Sequence, residues 1–270
     1  MFDLTGKRAI VTGGCGLLGR QFCEALAEGG AEVLMVDINI AGLSEAQTKI
    51  AKHCRDKVST AVCDITHKPQ VDALVGDFTA RGGVHVLVNS AAIDPKFEPT
   101  LDGSYQDNGA FPTYDVARWR ASLEVNLTGV FLMTQAVCRE METQGRGSVV
   151  NISSTYGLAG PDQRIYERAD KAPRFFKPVD YSVTKSGILG FTRAVASYYR
   201  GTGIRVNSLT PGGAYNGHDE VFVRNYSSRT ILGRMAQPSE YKAAILFLCS
   251  DASSYMNGAN LVVDGGWTAI

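Results

Sequence analysis

The feature that most narrows the fold is an alternation of two kinds of segment. Short runs rich in apolar residues trade places with longer runs whose apolar residues recur at helical spacing. Arg8 to Thr12, Glu32 to Asp37, Val58 to Cys63, Val84 to Val88, Ser148 to Ile152, Ile204 to Leu209 and Ala259 to Val263 read as strands. Helical runs reach from the first strand to about Glu28, from the second to about Arg55, and through Val71, Leu74, Val75 and Phe78. A long one carries Trp119 to Val137, and others open near Tyr181 and Ser239. Continuous apolar strands, without polar residues at every second position, belong to a parallel sheet covered on both faces. No repeat, linker or shift in composition divides the 270 residues, so the expectation is one doubly wound α/β domain spanning residues 1–270.

Between the first strand and the first helix stands Thr12-Gly13-Gly14-Cys15-Gly16-Leu17-Leu18-Gly19. Glycines let the backbone turn sharply and approach a phosphate, and the helix N-terminus then presents free N–H groups to the anion. Asp37 ends the second strand, where a carboxylate can bond an adenosine ribose and repel a 2′-phosphate. A plain glycine turn with Asp37 as a helix cap is the bland alternative. The placement on the first strand–turn–helix of a parallel fold points instead to a Rossmann domain, with a sheet of about seven strands and NAD as cofactor, NADP being less favoured.

Composition excludes several classes. Lys plus Arg and Asp plus Glu both total 27, with no basic run or acidic tail, so nucleic-acid binding has no electrostatic support. The six cysteines form no Cys-x-x-Cys pair, as expected of reduced thiols in the cytoplasm, and no metal site is expected. Met1 to Lys7 is too polar for a signal peptide, and no apolar run is expected to cross a bilayer.

Tyr181-Ser182-Val183-Thr184-Lys185 opens a helical run. Residues four apart share a helix face, so Tyr181 and Lys185 point the same way. A lysine cation nearby favours the phenolate and is expected to bring the tyrosine pKa down, which makes a proton-transfer device near neutral pH. A packed aromatic under a lysine stem is the commoner meaning of such a pair on its own.

Taken together the motifs resemble the short-chain dehydrogenase/reductase family over nearly the whole chain. They are the glycine loop, Asn89-Ser90-Ala91-Ala92, Asn126-Leu127-Thr128-Gly129, Asn151-Ile152-Ser153-Ser154 with Gly157, the Tyr181/Lys185 pair, Arg205-Val206-Asn207 leading to Pro211-Gly212, and Val263-Asp264-Gly265-Gly266. The resemblance implies that Tyr181 exchanges a proton with the substrate oxygen. Lys185 lowers its pKa and holds the nicotinamide ribose, Ser154 (not Ser153) steadies charge on that oxygen, and Asn126 holds a water for a proton relay. It implies dinucleotide contacts from Gly13, Cys15, Gly16, Leu18, Gly19, Asp37, Asp64, Ile65, Asn89, Ala91, Tyr181, Lys185, Pro211, Gly213 and Ala214. Asp64 could equally be a helix N-cap. Family members are commonly dimers or tetramers, so the expected assembly is a homo-oligomer, with the apolar positions on the long helices favouring a tetramer.

The departures are informative. Leu17 takes a usual glycine position, and Gly13-x-x-Gly16-x-x-Gly19 looks like epimerase-type relatives acting on nucleotide sugars. Ala92 replaces a glycine, and Asn216 stands where threonine is common. Ser154 and Tyr181 are 27 apart, about twice the family spacing. The extra stretch, residues 161–178, is expected beside the substrate pocket, with a second insertion near 96–113 at the same sheet edge. Each could instead be an oligomer contact or a surface loop. In the first, Arg164, Arg168, Lys171, Arg174 and Lys177 outnumber the acids, which suits a phosphate-bearing substrate. Gln163, Arg164 and Tyr215 are the candidate substrate contacts. Pro161-Asp162-Gln163-Arg164, the Pro211 to Gly217 loop and Ser250 to Met256 are similar to flagellin-modification-type dehydrogenases of nucleotide-sugar and nonulosonic acid pathways. The expected function is an NAD-dependent oxidoreductase on a secondary alcohol or ketone of a nucleotide-activated or phosphorylated sugar. Alternatives are a 3-oxoacyl thioester reductase and a dinucleotide-sensing protein without turnover.

Overall fold

The computed structural model describes residues 2–94, 109–167 and 175–270. Seven strands, all paired in parallel, form one sheet in the order β3-β2-β1-β4-β5-β6-β7. They are β1 Arg8–Thr12, β2 Glu32–Asp37, β3 Val58–Val62, β4 Val86–Asn89, β5 Arg146–Ile152, β6 Gly203–Pro211 and β7 Asn260–Val263. The helices are α1 Leu17–Glu28, α2 Ile40–Lys49, α3 Lys68–Thr79, α4 Val116–Leu123, α5 Val130–Gln144, α6 Val179–Tyr198, α7 Glu220–Ser227 and α8 Lys242–Cys249.

The continuous apolar strands divide by alternation. Ala9 and Val11 of β1 join Val33, Met35, Val86 and Val88 in a core under α1 and α8, with Phe22, Leu26, Ile245 and Leu248. Ile10 turns to the opposite face, where Leu34, Leu87 and Val149 meet Met133, Val137 and Met141 of α5 and Val71 and Val75 of α3. Burying each such side chain contributes roughly 1.5–3 kcal/mol before chain entropy is subtracted. Strand order reverses between β1 and β4, and it is at the carboxyl ends beside such a reversal that open α/β sheets bind ligands.

Two helices depart from the periodicity. The second run ends at Lys49, short of Arg55, because Ile50 turns extended and buries its side chain. The Arg55 guanidinium then caps the freed carbonyls, donating to Ile50 O at 2.8 Å and to Thr48 O. The long run from Trp119 is broken by a π-helical turn, Glu124–Gly129, between α4 and α5. Such wide turns insert a residue and recur at functional sites. The joined segment Val116–Gln144 is long and apolar enough to cross a bilayer by composition, contrary to the sequence expectation. Half of its apolar window is buried, and α5 packs on the sheet as a core helix.

Candidate active site

On one side of the sheet reversal the main chain does the building. Gly13 has φ +66° and packs on the end of β4 so closely that a Cβ would lie 2.6 Å from Ala91 Cα. A Cβ on Gly19 would lie 2.1 Å from Gly13 O. The loop is tied by Gly14 N–H to Val36 O (3.0 Å) and Gly16 N–H to Gly13 O (3.0 Å). Gly16 is the N-cap of α1 and offers no side chain to its first amides, which leaves the helix N-terminus open to an anion. Asp37 is fixed at the rim, accepting from Cys15 N–H and Asn39 N–H, each at 3.1 Å. Burial, and next the Asp37 carboxylate, push the Cys15 thiol up to about 12. An uncapped helix start behind glycines and a carboxylate at the strand end fit the diphosphate and ribose of a dinucleotide.

On the other side, β5 delivers Ser153 and Ser154. Ser153 Oγ donates to Lys185 O at 2.8 Å, whereas Ser154 Oγ accepts from Tyr156 N–H at 3.2 Å and lines the same cleft as Tyr181. This approach of the β5 loop to α6 needs Gly157, where a Cβ would sit 2.6 Å from Lys185 O. Lys185 Nζ donates to Ile152 O at 2.9 Å and lies 5.7 Å from the centre of the Tyr181 ring. Burial draws Lys185 down to about 8, with Asp94 opposing and Lys177 adding to the fall. The Tyr181 hydroxyl is pushed well above the ordinary tyrosine range by burial and then by Asp94, with Ser154 opposing. The expectation that Lys185 brings Tyr181 down is thus not met in this structure. Its ammonium donates to a carbonyl, and burial weakens its hold on the proton.

Asn126 sits in the π turn, 1% exposed. Its amide accepts from Ile93 N–H at 2.7 Å and donates to Ile93 O (3.0 Å) and Thr184 Oγ1 (3.1 Å), joining the β4 loop to α6. A cleft of about 860 Å³ opens between the two sides, from Leu17 and Leu18 past Ser154 and Tyr181 to Gly213 and Tyr226. Its far wall rests on an aromatic cluster in which Tyr156 meets Trp267 edge-on at 5.5 Å.

Residues 17–268 match the family model described as Enoyl-(Acyl carrier protein) reductase. The chain is a short-chain dehydrogenase/reductase. This oxidoreductase of CH–OH groups is 36% identical to the 3-alpha-(or 20-beta)-hydroxysteroid dehydrogenase of Mycobacterium tuberculosis, over 98% of this chain and 91% of the relative. It is 33% identical to galactitol 2-dehydrogenase (L-tagatose-forming) of Cereibacter sphaeroides, over 99% and 97%. A solved gluconate 5-dehydrogenase from Burkholderia cenocepacia, in complex with NADP and tartrate, matches with a TM-score of 0.82 at 30% identity, covering 100% of this chain and 98% of that one. That complex holds NADP, so the comparisons give no ground for ranking NADP below NAD.

The dehydrogenase's other sequence candidates fall unevenly about the cleft. Pro211, Gly213, Ala214, Gly16 and Leu18 line it. Ala91 N–H is held by Thr12 Oγ1 at 3.2 Å beside Gly13. The Asn89 side chain faces inward instead, donating to Thr134 Oγ1 (2.9 Å) and Asn151 Oδ1 (2.8 Å), so a ligand there meets only its main chain. Asp64 accepts from Thr66 N–H and Oγ1, while the N-cap of α3 is His67; Ile65 is buried against Gly129. Gln163, Arg164 and Tyr215 are not among the cleft-lining residues. Gln163 clamps Lys177, and Arg164 turns to solvent in a two-pronged pair with Asp162, at 2.8 and 2.7 Å. Arg168, Lys171 and Arg174, and most of the 96–113 insertion, lie outside the described residues.

Sequence reasoning missed Asp180, which is fully buried next to Tyr181. Its carboxylate accepts from Tyr114 Oη at 2.9 Å, from Ser122 Oγ, and from Tyr181 N–H at 2.8 Å, pinning the start of α6 to α4. Its place directly before the tyrosine was the available signal. Lys177 and Asp94 pair on the cleft wall; the sequence names Lys177 among the insertion's cations with nothing to set it apart from the other four, and Asp94 carries no signal.

Proposed function

We propose that this dehydrogenase moves hydride between a nicotinamide dinucleotide and a secondary alcohol or ketone on a polyhydroxylated, sugar-type substrate. The carrying observation is that Ser154 and Tyr181, the latter with Lys185 beside its ring, share the wall of a cleft that begins at the glycine loop. The bound dinucleotide supplies the hydride donor or acceptor. Gly13, Gly16, Leu18 and Gly19 seat its diphosphate, with Asp37 on the ribose hydroxyls. Ser154 donates to the substrate oxygen and steadies charge on it. In reduction, Tyr181 gives its Oη proton to that oxygen; in oxidation the phenolate form takes the hydroxyl proton back. Lys185 holds the ribose, and Asn126 keeps the strand end and helix in register for proton exchange with solvent.

Tyr181→Phe keeps the ring in its cluster and removes the proton. Turnover on a polyol and ketose panel should fall at least ~100-fold, with circular dichroism and dinucleotide affinity retained. Near-normal turnover by that variant sinks the reading. Asp37 supports a preference for NAD, because a 2′-phosphate would meet its carboxylate; tighter NADP than NAD in a fluorescence titration would refute this, and Asp37→Ala should narrow the gap.

A nucleotide-activated or phosphorylated sugar, as for flagellin-modification-type relatives, is the second reading. Tyr166 and Phe175 on the cleft wall favour it, offering faces to a base or sugar ring. Better kcat/KM on such substrates than on simple polyols separates the two. The free thiols of all six cysteines support a cytoplasmic setting. Exposed Phe131, Val183 and Tyr198 on α5 and α6 support a homo-oligomer, which light scattering at micromolar concentration tests.

A further inference from the structure

Two lysines flank Tyr181, and only one has a place in the reaction just described. Lys177 comes four residues earlier, at the exit of the inserted loop. Its Nζ lies 4.1 Å from the centre of the Tyr181 ring and 5.8 Å from that of Tyr156. Its side chain is only 11% exposed, unusual for a lysine, and its ion-pair partner Asp94 is 53% exposed. The main chain of Lys177 is held on both sides by one amide: its N–H donates to Gln163 Oε1 at 2.8 Å, and Gln163 Nε2 donates to its carbonyl at 3.1 Å. The cation is therefore fixed, while its carboxylate partner stands at the solvent edge and can be exchanged.

We propose that Lys177 is a specificity residue that binds a carboxylate on the substrate, and that Asp94 occupies this position between turnovers. The inference rests on the proposed function above and narrows its substrate to a hydroxy or keto acid of the sugar type. Among the described residues, Lys177 is the one lysine or arginine on the cleft wall, alongside the carboxylates of Asp94, Glu167 and Asp219. A single ammonium is a point charge that balances one carboxylate. With the reacting carbon at Ser154 and Tyr181, an acid group farther along the same substrate reaches Lys177 across the face of the Tyr181 ring. Replacing Asp94 by the substrate's carboxylate keeps the buried cation paired throughout, avoiding the cost of an unpartnered charge.

The test uses the whole chain with saturating dinucleotide and a panel of aldonic acids, each beside its uncharged primary amide. Wild type should prefer the acids. Lys177→Met should lower kcat/KM for the acids by about 10- to 100-fold, the range for losing a charge-assisted hydrogen bond, mostly through KM, and bring the acid-to-amide ratio close to unity. Lys177→Arg should keep part of the preference. Asp94→Asn removes the competitor and should lower KM for acids by up to about 5-fold, the scale of an exposed ion pair. An unchanged acid-to-amide ratio in a folded, dinucleotide-binding Lys177→Met overturns the proposal, and so does a wild-type preference for the amides. If no alcohol is turned over at all, the functional reading fails separately. The rise in thermal midpoint with aldonate then still decides Lys177: present in wild type and lost in Lys177→Met supports it, absent in wild type or unchanged in the variant overturns it.

Discussion

The two sides of the cleft are made of different material. The side at β1, α1 and β2 is backbone: glycines, helix-end amides and one carboxylate held by two main-chain N–H groups. The far side is side chains from distant segments, with Tyr156, Ile165, Tyr226, Met235 and Trp267 packed as one cluster and Lys177 and Asp94 paired above it. A backbone-built surface has no room for an added Cβ but is indifferent to many neighbouring side chains. A surface built of side chains has the reverse tolerance, and its shape depends on every contributor staying in place.

That contrast sets how each side should break. The largest loss should come from the side-chain half. Trp267 is 2% exposed, so Trp267→Ala should destabilise by about 3–5 kcal/mol through the lost burial and the cavity left behind. Urea denaturation measures it, and substrate KM should rise more than dinucleotide Kd. A loss under 1 kcal/mol would mean that the cluster does not support the wall.

At the seam between the halves, Lys185 should report through pH. Its folded pKa of about 8 lies below the ordinary lysine value of 10.5. The unfolded chain therefore binds the proton more tightly, and the cost of burying the charge is full below pH 8. It is relieved as pH rises from about 8 towards 10.5, so stability relative to Lys185→Met should climb across that window by about 3 kcal/mol. Paired denaturation curves at several pH values check this; a flat difference would place the lysine in a well-solvated setting.

The smallest effect should be on the backbone side. Gly13→Ala puts a Cβ at positive φ and 2.6 Å from Ala91 Cα, which should cost about 1–3 kcal/mol in stability and weaken dinucleotide binding. Substrate selectivity, read as relative kcat/KM across the panel, should stay unchanged. A shift in selectivity would show that the halves are coupled.

What the sequence by itself determined is the part that local physics controls. Strand and helix periodicity sets the parallel sheet, because apolar faces must be covered wherever the chain goes. Gly13, Gly16 and Gly19 mark the phosphate turn, because only glycine tolerates that approach, and helical spacing puts Tyr181 and Lys185 on one face. Tertiary structure decided where side chains from loops came to rest. The insertion's five cations were equivalent as charges on a string. Folding turned Arg164 outward onto Asp162 and swung Lys177 inward over Tyr181, because Gln163 gripped one main-chain segment and Asp94 waited across the cleft. The same holds for Asn89, whose amide was drawn inward by Thr134 and Asn151, residues 45 and 62 positions away. Direction at such sites is set by partners far along the chain, and no local spacing encodes it.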